Sequence, residues 1–321
     1  MGEPRRSRRG GVGTREGLGW WATYAQRPSS IVGGVIVLGV VLTVVLGPLI
    51  SPEQYSGFDF RNGGLRPQLD WRYLLGSDVY GHSILADILL GARTTVGIAA
   101  LAAGIALAVG GMLGVTLDLP RQPLPSIALA ALEIGLSIPF LPLALVLLVL
   151  VGGRNGWTMG LILGLLAAIR TAVLVRRSVT RILSGDAVRA ARASGAGPRL
   201  ILRRYIFPAL TPDIIVCGTW LLGAMILTEA TVDFLGLGLS PSTVSWGTAL
   251  GTTTDYAQSG EWWWLFFPGL AIFITVLGVN LTGRGLVRTC AAPRRGKTAT
   301  ISPTVSGSSI PAGETERREP S

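Results

Sequence analysis

Long apolar runs alternate with short polar stretches along most of this chain. The runs cover residues 31–50, 94–117, 124–151, 157–175, 207–228 and 262–283. Each has about the length of ~20 residues that an α-helix needs to cross the hydrocarbon core of a bilayer. The pattern therefore predicts an all-α integral membrane protein with about six transmembrane helices.

The composition supports this class and excludes others. Hydrophobic residues make up 49% of the 321 residues and charged residues 14%, and the mean hydropathy is +0.52, which is too apolar for a soluble domain of this length. Cys217 lies inside an apolar run and Cys290 just beyond the last one, so neither a disulfide framework nor a metal-ligand spacing is present. His82 is the only histidine. We predict no metal site, no catalytic site and no cofactor on this chain.

The basic residues indicate how the helices are oriented. Most arginines lie in the N-terminal tail, in residues 176–204 and in the C-terminal tail, and an even number of spans places these three regions on one side. Because basic loops stay on the cytoplasmic side, we predict that both termini are cytoplasmic. The formal net charge of +10 is then a topological signal beside membrane lipid, and nucleic-acid binding is not expected.

These features divide the chain into four parts. We predict a basic cytoplasmic tail over 1–28, a first transmembrane helix with an extracytoplasmic segment over 29–93, a transmembrane core over 94–286 and a disordered cytoplasmic tail over 287–321. The last tail contains AAPRRGKT, which satisfies a relaxed phosphate-loop pattern. No predicted strand precedes it and a proline lies within it, so ATP binding is not expected.

A short basic segment, DAVRAARASGAGPRLILRRYIFP, separates two apolar runs at residues 186–208. Its arginines would each cost several kcal/mol at bilayer depth, so we expect it in the cytoplasm beside the membrane. The alanine-rich part, 186–194, favours a helix, and Gly195 supplies a permissive bend. Pro198 is suited to the first position of a second helix, which we predict to end at Pro208.

This segment resembles the cytoplasmic loop of ABC-importer permeases. Its Ala-Ala pair, the glycine that follows and the closing Phe-Pro pair stand at the spacings of that family's motif, and Arg189 stands where the family has an acid. The resemblance implies a type I ABC-importer permease, whose coupling helix docks on a cytoplasmic ATPase. The candidate coupling residues are Ala190, Ala191, Gly195, Arg203, Arg204, Phe207 and Pro208.

Two further segments resemble the dipeptide, oligopeptide and nickel permeases, and the likeness spans about residues 72–288. The first matches at Gly76, Asp78, Gly81, Gly91, Ala92 and Arg93, while His82 and Ser83 replace an Arg-Asp pair. The second matches at Phe234, Leu235, Gly236, Leu237, Gly238, Pro241, Trp246, Gly247, Pro268, Gly269, Leu270, Asn280 and Gly283, while Arg284 replaces an acid.

What this resemblance implies is a permease subunit of an ATP-driven importer for di- or oligopeptides or nickel, in a bacterial inner membrane. The implied partners are a second homologous permease, two cytoplasmic ATPases that bind ATP and Mg²⁺, and an extracytoplasmic substrate-binding protein. The chain itself is then not an enzyme. Closure of the ATPases on the coupling segment would switch the helices between outward-open and inward-open states.

Glu133 is identified as the only acid well inside an apolar run, six residues before Pro139. A buried carboxylate is costly in a membrane, so Glu133 is a candidate for the translocation path. A structural hydrogen bond in helix packing is the other interpretation. Two other function classes stay open: an ion-coupled secondary transporter, which should carry more coupling acids than Glu133, and a membrane anchor or assembly protein without transport activity.

Overall fold

The computed structural model describes residues 28–51, 60–117, 126–240, 242–252 and 260–291. All of these belong to one compact unit that ends at Ala291. The predictions for the two tails, apart from their inner ends, lie outside the described residues, as do Pro241 and the phosphate-loop-like segment after Ala291.

The described residues form helices, joined by short turns except over 60–83, where two 3-10 helices, Phe60–Asn62 and Trp71–Tyr73, lie in an irregular stretch. The all-α class is confirmed. In chain order the helices are α1 (Pro28–Ile50), α2 (Ile84–Thr116), α3 (Ser126–Ser137), α4 (Phe140–Val151), α5 (Gly156–Leu183), α6 (Asp186–Ala193), α7 (Pro198–Phe234), α8 (Trp246–Gly251) and α9 (Trp263–Ala291). Helix α2 contains a π-helical segment at Ala106–Gly110, and α7 contains another at Leu202–Ile206.

Five of the described helices, α1, α2, α5, α7 and α9, are long and apolar enough to cross a membrane. The remaining predicted run, 124–151, is not one helix but two helices of 12 residues each, α3 and α4. Pro139 takes an extended conformation between them, with φ −60° and ψ 123°. A proline has no N–H to donate and disfavours helix in the residue before it, which explains the break. That α3 and α4 together form one passage through the membrane stays a prediction.

Two helix ends differ from the sequence-based boundaries. Helix α2 begins at Ile84, ten residues before the predicted start, so the predicted division at residue 93 falls within a helix. Helix α7 extends past residue 228 to Phe234 and does not end at Pro208. The π turn at Leu202–Ile206 lies directly before this proline, and such a turn relaxes the i to i−4 hydrogen-bond pattern that a proline would interrupt.

Small residues bring the long helices into close contact. A Cβ added at Gly110 would lie 2.7 Å from the Thr171 Cβ, and one at Gly114 would lie 2.5 Å from the Ala172 carbonyl oxygen. Helix α1 packs on α9 in the same way, since a Cβ at Gly33 would lie 2.7 Å from the Leu281 Cβ. Close backbone approach of this kind is typical of helix association in membranes, where packing replaces the hydrophobic effect.

Replacing Gly114 with alanine should destabilise the protein, because the new methyl group would overlap the backbone of α5. Overpacking of this kind costs about 1–3 kcal/mol. The matched control is Gly111→Ala in the same helix, where an added Cβ meets nothing within 4 Å. That change should raise stability by up to about 1 kcal/mol through helix propensity alone. Thermal unfolding midpoints of the purified full chain measure both, and shifts of the same sign would contradict the packing described.

Candidate functional site

The segment between α5 and α7 contains one helix, α6, which a left-handed glycine joins to the start of α7. Gly195 has φ 80°, a backbone conformation that side chains with a Cβ resist. Its N–H donates to the carbonyl of Arg192, and the N–H of Ala196 donates to the carbonyl of Ala191, both at 3.0 Å. This pair of bonds is the Schellman arrangement that ends a helix. The direction in which the chain leaves α6 is therefore set by Gly195.

One buried side chain attaches α6 to the ends of the two long helices. Val188 is 2% exposed and packs in a cluster with Val175 and Val179 of α5 and with Ile201 and Ile206 of α7. The cluster contains no charged residue. A movement imposed on α6 would thus be transmitted to α5 and α7 through direct contacts.

The exposed surface of this segment is basic. Its exposed arginines are Arg189, Arg192, Arg199, Arg203 and Arg204. Arg189 lies 3.9 Å from the exposed Asp186 carboxylate, a surface pair that contributes little stability. Leu200 and Phe207 are about half exposed beside these arginines. The face offers positive charge and apolar area together to a partner.

The predicted coupling residues divide between the two faces. Ala190 and Phe207 lie on the exposed side, and Ala191 is partly buried. Arg203 and Arg204 lie within the π turn at the start of α7. π turns of this kind often occur at functional sites, and both arginines of this one are exposed.

Glu133 does not lie in the protein interior. It is exposed on α3 and lines a cavity beside the final turns of α5, while Pro139 is the break before α4. The expectation that Glu133 is the only acid within a span is wrong, because α7 includes Glu229 and Asp233, which are 0% and 3% exposed. The sequence carried a signal for them: the two acids are spaced by four residues directly after the apolar run, on one helical face.

Asp233 organises the turn that follows α7. One carboxylate oxygen accepts the N–H of Leu239 at 2.9 Å, and the other accepts the hydroxyl of Ser245 at 2.6 Å. Gly238 lies against this carboxylate so closely that a Cβ there would overlap it, and a Cβ at Gly247 would lie 2.6 Å from the Asp233 Cβ. Gly238 and Gly247 are therefore required by the close approach of this turn to one buried acid, whereas Gly236 has open space around it and a φ of 70°.

Glu229 lies one turn before Asp233 and is fully buried. Its polar neighbours are Asp233 and Thr95, yet neither carboxyl oxygen has a hydrogen-bond partner of normal geometry among the described residues. Buried polar groups without such partners are rare and costly. Glu229 is thus a stronger candidate for a functional acid than the exposed Glu133.

Helix α8 is held against α2 by Trp246. Its backbone N–H donates to the Thr95 hydroxyl at 3.1 Å, and its indole N–H donates to the carbonyl of Ile88 at 3.0 Å. A Cβ at Gly91 would lie 3.0 Å from the indole ring, so the glycine provides the space for this ring. Sequence-distant residues of the two recognised segments thus meet in one contact.

The first of those segments begins with a tight turn before α2, and Asp78 closes this turn. This carboxylate accepts the backbone N–H groups of His82 at 2.7 Å and Tyr80 at 2.9 Å, and its second oxygen lies 3.3 Å from His82 Nδ1. Burial raises the pKa of Asp78, although these contacts oppose the increase. Gly76 and Gly81 have φ of 87° and 85°, so the pattern Gly, Asp, Gly encodes a turn rather than a ligand site.

Comparisons with known proteins agree with the sequence resemblance. Residues 106–291 match the model of a family described as the inner membrane component of binding-protein-dependent transport systems. The chain is 31% identical over 275 residues, 83% of its length and 89% of the relative's, to a di/tripeptide transport system permease of Pseudomonas aeruginosa. It is 33% identical over 273 residues, 83% and 90% of the two chains, to a dipeptide transport system permease of Escherichia coli K12. The corresponding Bacillus subtilis permease is 29% identical over 266 residues, 83% and 82% of the two chains.

Replacing Asp233 with alanine should loosen the turn after α7. The change leaves the Leu239 N–H and the Ser245 hydroxyl unpaired, at about 1–3 kcal/mol for each buried group. Asp213→Ala is the matched control, because this acid of the same helix is partly exposed, 3.8 Å from the exposed Arg181, and should change stability by less than about 0.5 kcal/mol. Limited chymotrypsin digestion of the full chain should cut near Leu237 faster in Asp233→Ala only. Equal cutting in the two variants would contradict the role of Asp233.

Proposed function

Since this chain belongs to the family of inner-membrane components of binding-protein-dependent transport systems, we propose that it forms half of the translocation path of an ATP-driven peptide importer. The observation that carries the mechanism is the segment between α5 and α7. It presents an exposed basic face, it turns at a left-handed glycine, and one buried cluster connects it to both long helices. A rigid projection of this kind suits a coupling helix.

The substrate class rests on the relatives. The similar chains are named for di/tripeptide and dipeptide transport, so peptides are the proposed cargo and a nickel complex is the alternative. The proposed assembly contains a second permease, two ATPases that hydrolyse ATP with Mg²⁺, and an extracytoplasmic binding protein. This chain contributes the path and the coupling contacts, not the hydrolysis.

In the proposed mechanism, closure of the ATPases displaces α6. Val188 passes the displacement to Val175 and Val179 on α5 and to Ile201 and Ile206 on α7. Helix α7 has 37 residues, about 55 Å at 1.5 Å per residue, so its far end lies on the other side of the membrane. There Asp233 fixes the outer turn, and the outer opening would change when α7 moves.

One observation favours a second candidate, an ion-coupled carrier. Glu229 and Asp233 are neighbouring buried acids within a long helix, and such residues mark proton or ion paths in many transporters. The two functions differ in what drives uptake. If partner ATPases drive transport, inactivating their ATP site should abolish uptake in vesicles, and a protonophore at constant ATP should not.

Gly195→Val should uncouple transport from ATP hydrolysis. A β-branched residue at φ 80° is strained by about 1–3 kcal/mol, which would redirect the chain between α6 and α7. We expect peptide uptake by the assembled transporter to fall at least tenfold, with loss of ATPase subunits on purification. Uptake and subunit retention are compared at equal membrane levels of the permease.

Gly197→Val is the matched control for this experiment. Gly197 has φ −70° and ψ 160°, a conformation that valine adopts readily, and an added Cβ meets nothing within 4 Å. This variant should keep most of the uptake. Normal uptake and normal ATPase retention in Gly195→Val would refute the coupling assignment.

The orientation is tested by cysteine labelling in intact cells. In a chain whose Cys217 and Cys290 are replaced by alanine, a cysteine at the exposed Ser194 should react only after the cytoplasmic side is made accessible. Leu69 is fully exposed in the segment that joins α1 to α2, which the proposed topology places outside the cell. A cysteine there should react with an impermeant reagent from outside. The opposite labelling pattern would reverse the proposed topology.

A further inference from the structure

A cavity of about 530 Å³ separates α3 from the last turns of α5. The two helices touch at Gly135, where an added Cβ would lie 3.4 Å from the Ile169 Cδ1. Beyond this contact they diverge towards the C-terminal end of α5, the end that leads into the basic segment. The cavity lies outside that segment and outside the acidic cluster of α7.

The lining of this cavity changes character along α5. Near the helix contact the walls are mostly apolar, formed by Leu132, Leu136 and Val173, with Glu133 beside Leu132. Towards the end of α5 the walls carry Arg177 and Arg181, which lie in the last two turns of this long apolar helix. A cation at the end of a transmembrane helix lies at headgroup level. The cavity is therefore apolar at its inner end and cationic where lipid headgroups lie.

The charge of the lining is positive. Arg176, Arg177 and Arg181 line it together with one acid, Glu133. Arg177 makes no ion pair or hydrogen bond within the described part of the chain. Arg181 lies 3.8 Å from the Asp213 carboxylate, but the arginine side chain is 71% exposed, and so exposed a pair contributes little. A matching occupant brings negative charge at one end and apolar surface at the other.

We propose that this cavity binds an anionic glycerophospholipid, with its phosphate group at Arg177 and Arg181 and an acyl chain beside Leu136 and Val173. Basic pockets between transmembrane helices recognise such headgroups. Three arginines and one acid, Glu133, line the cavity, so its net positive charge favours an anionic lipid over a zwitterionic peptide. Inorganic phosphate would leave the apolar end unused. The lipid would hold α3 and α5 apart, directly before the segment that contacts the partner ATPases.

The test measures which lipid the purified full chain retains. The protein is equilibrated with equal amounts of phosphatidylglycerol and phosphatidylcholine in mild detergent, and bound lipid is counted by native mass spectrometry. Wild type should prefer phosphatidylglycerol. In the double variant Arg177→Gln and Arg181→Gln, the ratio of bound phosphatidylglycerol to bound phosphatidylcholine should fall about fivefold for each arginine removed. The matched control, Arg192→Gln with Arg199→Gln, removes two exposed arginines off the cavity and should keep it.

A second variant separates the cavity from ordinary surface attraction. Leu136→Trp fills the apolar end and keeps every arginine, so it should also lose the preference for phosphatidylglycerol. Because the two lipids are counted on the same protein, partial loss of protein does not alter their ratio. Either variant retaining the wild-type ratio would overturn the proposal. Displacement of the lipid by millimolar inorganic phosphate or by a dipeptide would also overturn it, by showing a free-anion site or a substrate site.

Discussion

In hydrocarbon there is no water to bond with the backbone, so every N–H and C=O at membrane depth must find its partner inside the protein. Long uninterrupted helices satisfy this requirement, and it makes each interruption informative. In the described chain the interruptions are the break at Pro139, the π turns at Ala106–Gly110 and Leu202–Ile206, and the left-handed Gly195. The last two lie in the segment that we assign to coupling, at the end of the spans.

The same requirement explains why small residues hold the long helices together. Lipid tails are as apolar as leucine, so helices associate through close packing rather than through burial from water. Gly114 places α2 against the backbone of α5, and Gly164 places α5 against α2, where a Cβ would lie 2.8 Å from the Ala102 carbonyl oxygen. Backbone-to-backbone contacts of this kind leave no room for sliding. Helices α2 and α5 therefore move together if they move.

Local sequence signals predicted the elements whose cause is local. Apolar length predicted about six spans, of which five are long single helices. Gly195 followed by Pro198 predicted the end of one helix and the start of the next. The continuation of α7 through Pro208 was not predicted, because a proline ordinarily ends or kinks a helix and the π turn at Leu202–Ile206 is visible only in the structure.

The outer acidic cluster was missed for a different reason. A boundary placed at residue 228 assigned Glu229 and Asp233 to a loop, where acids are ordinary. Their burial arises from contacts far along the chain, such as that between the Trp246 N–H and the Thr95 hydroxyl, which joins residues 151 positions apart. The glycines and the tryptophan of this region were recognised as residues, but only the fold shows that Gly238 and Gly247 lie against Asp233 and that Trp246 bonds to Thr95.

These contacts form a closed path through the molecule, which limits how it can move. From α6 the path leads through Val188 to α5 and α7, along α7 to Asp233, across the outer turn to Trp246, and through Thr95 back to α2, which packs on α5. Moving α7 alone would break either the outer hydrogen bonds or the buried cluster below. A rocking motion of α2, α5 and α7 as one body preserves both. Helix α4 packs Ala144 and Leu148 into the core of this body, whereas the described side chains of α3 are exposed or partly exposed. Helix α3 is then the natural boundary at which an alternating-access movement would be absorbed.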